Sequence, residues 1–368
     1  MKPYLLFLTI CCIPFLTKSQ DLDRKIEFPD VDSFLTLKCD LHIHTVFSDG
    51  HVWPTIRVEE AVKDGLDAIS LTEHIEYQPW KADIPHPDRN RSYEIAKKVA
   101  KPYNLIVIHG TEITRDMPPG HANALFVTDV NELVLEDSIA AYQKARAQGA
   151  FIFWNHPNWI RQQKDGIPFV SPLHDYLIKN DLLHGIEVVN DLTFSEEALK
   201  IANERNLTVM GTSDIHGLVD YQYEIANGGH RPICLVLARE RTEEGIKEAL
   251  FAGRTVAWFD NILSGKEPNL RLLVDASLTF KWKGYIGDSD VLEVEVTNVS
   301  DAKFLLQNTA VYDFQKNTDI IEILPQSKKV LQVITSRSEG ELKPLTFTIL
   351  NAIIGYKEQL SISVPLSN

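Results

Sequence analysis

The sequence predicts an α/β barrel of alternating strands and helices, followed by a smaller antiparallel β-sandwich. Three observations carry this. From Leu35 to about Trp258 short β-rich runs alternate with helical stretches, the pattern of parallel β/α architecture. Around residues 260–268 the texture changes, and alternating segments without helical period follow. In the first part, histidines and carboxylates recur at the ends of the strand-like runs. In a parallel barrel those ends converge on the face that carries active sites.

The chain has 368 residues, enough for a large barrel plus a smaller module. Residues 1–19 read as a signal peptide, with Lys2 at the start, an apolar run from Leu5 to Leu16 and small residues Thr17 and Ser19 before cleavage. The apolar run is too short to span a bilayer. The mature chain is therefore expected to lack an integral membrane segment and to be periplasmic or secreted. Ile10 is bulky where a lipid-attachment signal at Cys11 would want a small residue, which argues against a lipoprotein. Residues 20–34 form an arm, polar and loose from Asp21 to Ser33.

Residues 35–262 are the expected barrel. Its candidate helices are Ile56–Asp64, Ser92–Lys101, Leu135–Gln148, Glu196–Asn206 and Glu243–Ala252. Gly65, Gly149 and Gly253 each follow such a stretch, as C-terminal caps do. Seven or eight strand-like runs favour a barrel over an open sheet. Residues 268–368 are the expected sandwich, with strand-like segments at Leu270–Val274, Ser277–Trp282, Val291–Val296, Lys303–Leu306, Lys329–Ile334, Leu345–Leu350 and Gln359–Val364. No histidine follows His230, so this module adds no imidazole ligand. Beyond the leader the cysteines are Cys39 and Cys234, too few for a disulfide framework. Cys39 reads as a buried barrel cysteine, not a ligand. The net charge of −14 argues against a partner of long nucleic acid, whose grooves are usually basic.

The chemistry starts at His42-Ile43-His44. Two histidines one residue apart on a strand share a face and can meet one cation, with Asp49 returning from the turn to a second. A pair of surface histidines is the plainer alternative. The recurrence of His74, Glu112, His121, His156, Asp214 and His216 at or beside strand ends counts against it. Six histidines and three carboxylates without a thiolate suit manganese, iron or zinc better than calcium or magnesium.

These residues resemble the PHP (polymerase and histidinol phosphatase) superfamily of metal-dependent phosphoesterases over residues 35–260. The motifs are residues 42–50 (HIHTVFSDG), Thr72-Glu73-His74, Glu112 with His121, His156-Pro157 and Asp214-Ile215-His216. Glu73 departs from the Asp more usual there. Longer runs, residues 51–58, 73–79, 90–96 and 110–115, are similar to secreted Sb-PDE-type phosphodiesterases. The resemblance implies a distorted (β/α)7 barrel with two or three divalent transition-metal ions. His42, His44 and Asp214 would hold one ion, with Glu112 bridging to a second that His121 and His156 complete. Asp49, His74 and His216 would hold a third.

The function expected is hydrolysis of a small organic phosphodiester through attack of a metal-bound hydroxide at phosphorus. Clustered cations lower the pKa of water from 15.7 to about 7. The alternatives are a phosphomonoesterase of the histidinol-phosphatase kind and a non-catalytic protein that binds a glycan or partner. Arg115 and Arg91 are candidate phosphate clamps, and equally solvated loop arginines. Glu187 and Asn190 line the barrel top or orient ligands. Trp53, Trp80, Trp154 and Trp159 wall a pocket or simply pack.

Overall fold

The computed structural model describes residues 24–336 and 342–366. The signal-peptide reading of residues 1–19 lies outside them. Among the described residues no helix is long and apolar enough to cross a membrane.

The strands of the first part are β1 (Leu35–Ile43), β2 (Ala68–Leu71), β3 (Ile106–Ile113), β4 (Ala122–Leu125), β5 (Phe151–Trp154), β6 (Gly185–Asn190), the short β7 (Thr193–Phe194) and β8 (Thr208–Thr212). Neighbours pair β1–β2–β3–β4–β5–β6–β8. The ring closes where Asp214 N–H donates to His42 O (2.8 Å) and His44 N–H donates to Ile215 O (3.1 Å). The barrel is thus seven-stranded, and distorted because β4 runs antiparallel to both neighbours. Residues 114–121 between β3 and β4 are too few for the crossover of a dozen or more residues that a parallel partner needs.

Helices α1 (Pro54–Lys63), α2 (Arg91–Ala100), α3 (Ser138–Ala147), α4 (Pro172–Lys179), α5 (Glu196–Arg205), the one-turn α6 (Val219–Gln222) and α7 (Glu243–Phe251) accompany the strands. Their ends follow local chemistry. Asp137, Ser195 and Thr242 each accept a backbone N–H as N-caps, which is why α3 starts three residues later than the apolar pattern suggests.

Three strands, β9 (Ile233–Ala238), β10 (Thr255–Phe259) and β11 (Ile262–Gly265), continue antiparallel from the first half of β1. Helix α8 (Glu267–Ser277) follows. It corrects the strand expected at Leu270–Val274. Leu270, Leu273, Val274 and Ser277 are buried on one face, and a five-residue window is too short to expose that 3.6-residue period.

The last module comprises β12 (Leu278–Tyr285), β13 (Val291–Asn298), β14 (Phe304–Asn308), β15 (Ile320–Ile323), β16 (Ser327–Ile334), β17 (Leu345–Gly355) and β18 (Glu358–Val364). One sheet is β12–β13–β16; the other contains β15, β14, β17 and β18. Strand β13 buries Leu292, Val294 and Val296 between half-buried Glu293, Glu295 and Thr297, the alternation of a sandwich strand. Strand β11 pairs in parallel with β17, so the barrel-side sheet runs on into the sandwich.

One apolar core contains Trp258, Leu263 and Leu270 together with Leu292, Phe304 and Phe347. The expected loose arm joins it: Ile26 and Val31 are buried, and Ile26 N–H donates to Asp64 O. An apolar residue every few positions anchors a stretch whose average composition is polar. A chain ended after residue 266 should therefore be insoluble on expression. Re-exposing several large side chains at about 1.5–3 kcal/mol each rivals a whole domain's stability of roughly 5–15 kcal/mol. A soluble, cooperatively melting barrel from that truncation would contradict the shared core.

Candidate metal centre

Strand β1 changes its inward parity just before the site. Leu37, Cys39 and Leu41 point into the barrel's lower core, whereas His42 and His44 point into the site above it. A register shift between Asp40 and Ile43 against β2 makes this possible. It is a β-bulge that re-aims side chains at a barrel rim. Gly50, at the end of the same motif, has no room for a side chain: a Cβ there would sit 2.7 Å from the His44 carbonyl carbon.

Glu112 on β3 is completely buried. Its Oε2 lies 2.7 Å from His74 Nδ1, 3.4 Å from His44 Nε2 and 3.7 Å from His42 Nε2. Its Oε1 lies 2.8 Å from His121 Nδ1 and 3.7 Å from His156 Nε2, and accepts from Asn155 Nδ2 at 3.0 Å. Asp214 Oδ1 is 3.1 Å from His42 Nε2 and 3.0 Å from His44 Nε2. Asp49 is 3.4 Å from His74 Nε2 and 3.2 Å from His216 Nε2. All nine motif residues therefore stand around one point at the barrel top.

Three donor groupings result: His42, His44 and Asp214; His44, Asp49, His74 and His216; and His74, Glu112 and His121. His44 and His74 each serve two of them. His156 falls outside the tight groupings, although it approaches Glu112. Cys39 and Cys234 are free, buried and opposite each other across β1 and β9, away from these donors.

The donors fit divalent cations. His42 Nε2 and His44 Nε2 face each other at 3.0 Å, and Glu112 Oε2, Asp49 Oδ1, His121 Nδ1 and His156 Nδ1 are buried with no hydrogen-bond partner. A buried polar atom left so costs about 1–3 kcal/mol, and a cation satisfies several at once. Protons otherwise fill the role. Burial lowers the His216 pKa, but Asp49 and Asp214 outweigh it and push it up to about 9. Burial raises the Glu112 pKa, but His74 and His121 hold it well below the usual carboxylate range. Burial, then His216 and His74, hold His44 down to about 3, so its ring stays neutral and able to coordinate.

A second layer orients these groups. Glu187 on β6 accepts from His42 Nδ1 (2.7 Å), Thr212 Oγ1 (2.6 Å), His156 N (2.6 Å) and Asn190 Nδ2 (2.9 Å). His44 Nδ1 donates to Ser48 Oγ (3.2 Å), which donates to Glu73 (2.5 Å). Such carboxylate links fix the tautomer that turns the other ring nitrogen inward. Buried Arg57 donates to His44 O (3.0 Å) and Ile215 O (3.1 Å), spanning the barrel seam.

Asp214 has a left-handed backbone (φ 49°), a strained conformation for a residue with a side chain. Ser213 before it donates N–H and Oγ–H to the fully buried Asp40 (3.1 and 2.6 Å), which Arg231 anchors at 3.2 Å. Sequence reasoning missed Asp40, Asn155, Arg57 and Arg231. Asp40 and Asn155 lie within two residues of motif histidines, which is a usable signal; the two arginines gave none.

A cleft of about 890 Å³ opens over the donors. The structure does not bring Arg91 or Arg115 to it. Arg91 is exposed on α2 beside Glu94 (2.9 Å). Arg115 is held by Glu76 (2.9 Å) and the Leu135 carbonyl. Of the four tryptophans Trp159 alone lines the cleft; Trp154 is buried, Trp53 packs on Phe47, and Trp80 donates to Gly50 O.

The domain family DUF5001, an Ig-like domain, matches residues 278–365. A solved two-domain protein from Bacteroides vulgatus, containing a predicted PHP-like metal-dependent phosphoesterase, is 39% identical with a TM-score of 0.87. The alignment covers 93% of this chain and 98% of that one. PsfC of Pseudomonas syringae is 16% identical, over 65% of this chain and 96% of that one, with a TM-score of 0.42. An uncharacterised protein of Methanocaldococcus jannaschii is 36% identical over 85 residues, which is 23% of this chain. The chain spans 36% of that relative's length.

Asp40→Asn keeps the shape but weakens the hold on Ser213, and should lower metal affinity roughly 10- to 100-fold. The Asp214-side ion should be the one lost in elemental analysis after dialysis. Unchanged metal retention would show that Asp214 keeps its position without Asp40.

Proposed function

The chain belongs to the PHP-like metal-dependent phosphoesterases with a C-terminal Ig-like domain, and from that premise we propose that it hydrolyses small organic phosphodiesters outside the cytoplasm. The observation that carries the reading is the buried, unpartnered Glu112 Oε2 ringed by imidazole nitrogens of His42, His44 and His74. Two or three manganese, iron or zinc ions suit this nitrogen and oxygen set. His42, His44 and Asp214 would hold one. His121, His156 and Glu112 would hold another, with Glu112 between the two. Asp49, His74 and His216 would hold a third, and His44 and His74 are placed to share. The extracytoplasmic placement rests on the leader-like residues 1–19.

When bound, such ions acidify water to near-neutral pKa and neutralise charge on the phosphoryl oxygens. The chain's own part is positional. Glu187 and the Ser48–Glu73 pair hold His42 and His44 with one nitrogen facing inward. Asn155 donates to Glu112 Oε1 and leaves Oε2 free for the site. The buried floor keeps bulk water from below, so substrate enters from the cleft.

Two features of the cleft support a diester over a monoester. Its volume exceeds the needs of a bare phosphate, leaving space for two ester arms. Among its described lining residues Arg161 is the one arginine or lysine, which suits a singly charged phosphate better than a dianion.

Glu112→Gln should lower turnover by roughly 100-fold or more and reduce the ions retained, with the circular dichroism spectrum unchanged. Turnover within a few-fold of wild type would remove Glu112 from the proposed bridge. At matched leaving group, an alkyl-aryl diester should have a higher kcat/KM than the aryl monoester; the reverse order would make the enzyme a monoesterase.

A further inference from the structure

We propose that the cleft mouth is a subsite for one planar, apolar arm of the ester, bounded by Trp159, Tyr77 and the Arg161 guanidinium. The proposal rests on the phosphoester reading and specifies its substrate class.

The two rings stand beside different histidines of the candidate metal centre. The Trp159 ring centroid is 5.1 Å from that of His156 and 5.7 Å from that of His121, the histidines near Glu112 Oε1. Tyr77 is 5.9 Å from His74, which approaches Oε2. An ester seated between these histidines has an aromatic face within reach of its arms. Both rings are exposed, Trp159 by 36% and Tyr77 by 52%. A ring of this size has 150–250 Å² to bury, so a ligand that covers it gains what the folded chain alone forgoes.

The placement of Trp159 is built, not incidental. Its backbone N–H donates to His156 O at 2.9 Å, and its carbonyl accepts from the backbone N–H of Gln162 (2.9 Å) and Gln163 (2.7 Å). Gln162 Nε2 donates to Arg115 O at 2.9 Å. Arg115, itself tied to Glu76 and Leu135, thus pins the loop that carries the tryptophan. Arg161 lies 5.6 Å over the Trp159 ring and forms no ion pair with a described carboxylate, in a chain of net charge −14. A guanidinium in that setting offers a flat cation that attracts π faces.

The lining decides between a planar arm and an alkyl chain. An alkyl chain calls for an aliphatic groove, and Ile160 is the one aliphatic residue among the described lining. The lining also presents Asn190, Asp191 and Thr193. The arrangement therefore favours an unsymmetrical ester with one flat arm and one polar arm.

Phosphinates test this without turnover, because their P–C bonds do not hydrolyse. Diphenyl-, diethyl- and dihexylphosphinate would be titrated calorimetrically into the metal-replete full-length protein. Diphenylphosphinate should bind at least about tenfold tighter than diethylphosphinate, the worth of one good aromatic contact. Trp159→Ala should erase the difference while metal content and inorganic phosphate affinity stay unchanged. Equal affinities in the wild type, a preference that survives Trp159→Ala, or tighter binding of dihexylphosphinate would each overturn the subsite. A separate assay covers the underlying reading: if the wild type turns over no phosphate ester, the phosphoesterase proposal fails, and this one with it.

Discussion

Glu112 sits at the centre of the barrel top with no exposure to solvent, and one of its oxygens meets only ring nitrogens. Around it the chain has placed Asp49, Asp214 and six imidazoles, some with their acceptor edges face to face. Removing charges from water is costly unless they are compensated. Much of the remaining structure serves this concentration of charge. The bulge in β1 turns both histidines of the first motif inward, and Glu187 takes four donors to hold one ring and one backbone. Arg57 ties the seam between the first strand and the last. Each device fixes a donor atom before any cation arrives, so that binding energy is not spent on ordering side chains.

The same constraint explains the strained and buried elements nearby. Asp214 adopts a left-handed backbone that few residues with side chains accept, and it does so beside Ser213, held by Asp40. Asp40 is buried with Arg231, which also pairs with Asp64 at 2.7 Å. Asp64 in turn receives Arg24 from the N-terminal arm. A polar chain therefore runs from the arm to the strained segment. Loss of Arg231 would leave the fully buried Asp40 without its cation, a cost of about 3–5 kcal/mol. The sandwich contributes differently. It continues the sheet from β11 and shares a core with β10 and β11, and the described donors of the candidate metal centre all come from the barrel.

The alternation of strands and helices was legible because buried strands are short apolar runs and the helices between them carry 3.6-residue periodicity. Helix α8 was not, because only its middle five residues were read as one segment, and five residues cannot distinguish the two periods. The reversed β4 was hidden as well; strand direction depends on loop length, not on strand composition. The nine motif residues could be picked out because His, Asp and Glu are uncommon at the buried ends of strands. Arg57 and Arg231 were invisible, since an arginine has many ordinary roles and only three-dimensional contact separates them. Arg115 shows the converse. Its position beside Glu112 in sequence suggested a clamp, but the loop turns its guanidinium toward Glu76 and Leu135.

The central claim is that the barrel top is a multinuclear metal centre organised about Glu112. Anomalous diffraction from crystals of the metal-replete protein, collected at the manganese, iron and zinc edges, tests it most directly. The account requires at least two peaks, each about 2.0–2.2 Å from its imidazole nitrogens and carboxylate oxygens, with Glu112 contacting two of them. A single peak, or none after metal loading, would contradict it, as would two peaks neither of which touches Glu112.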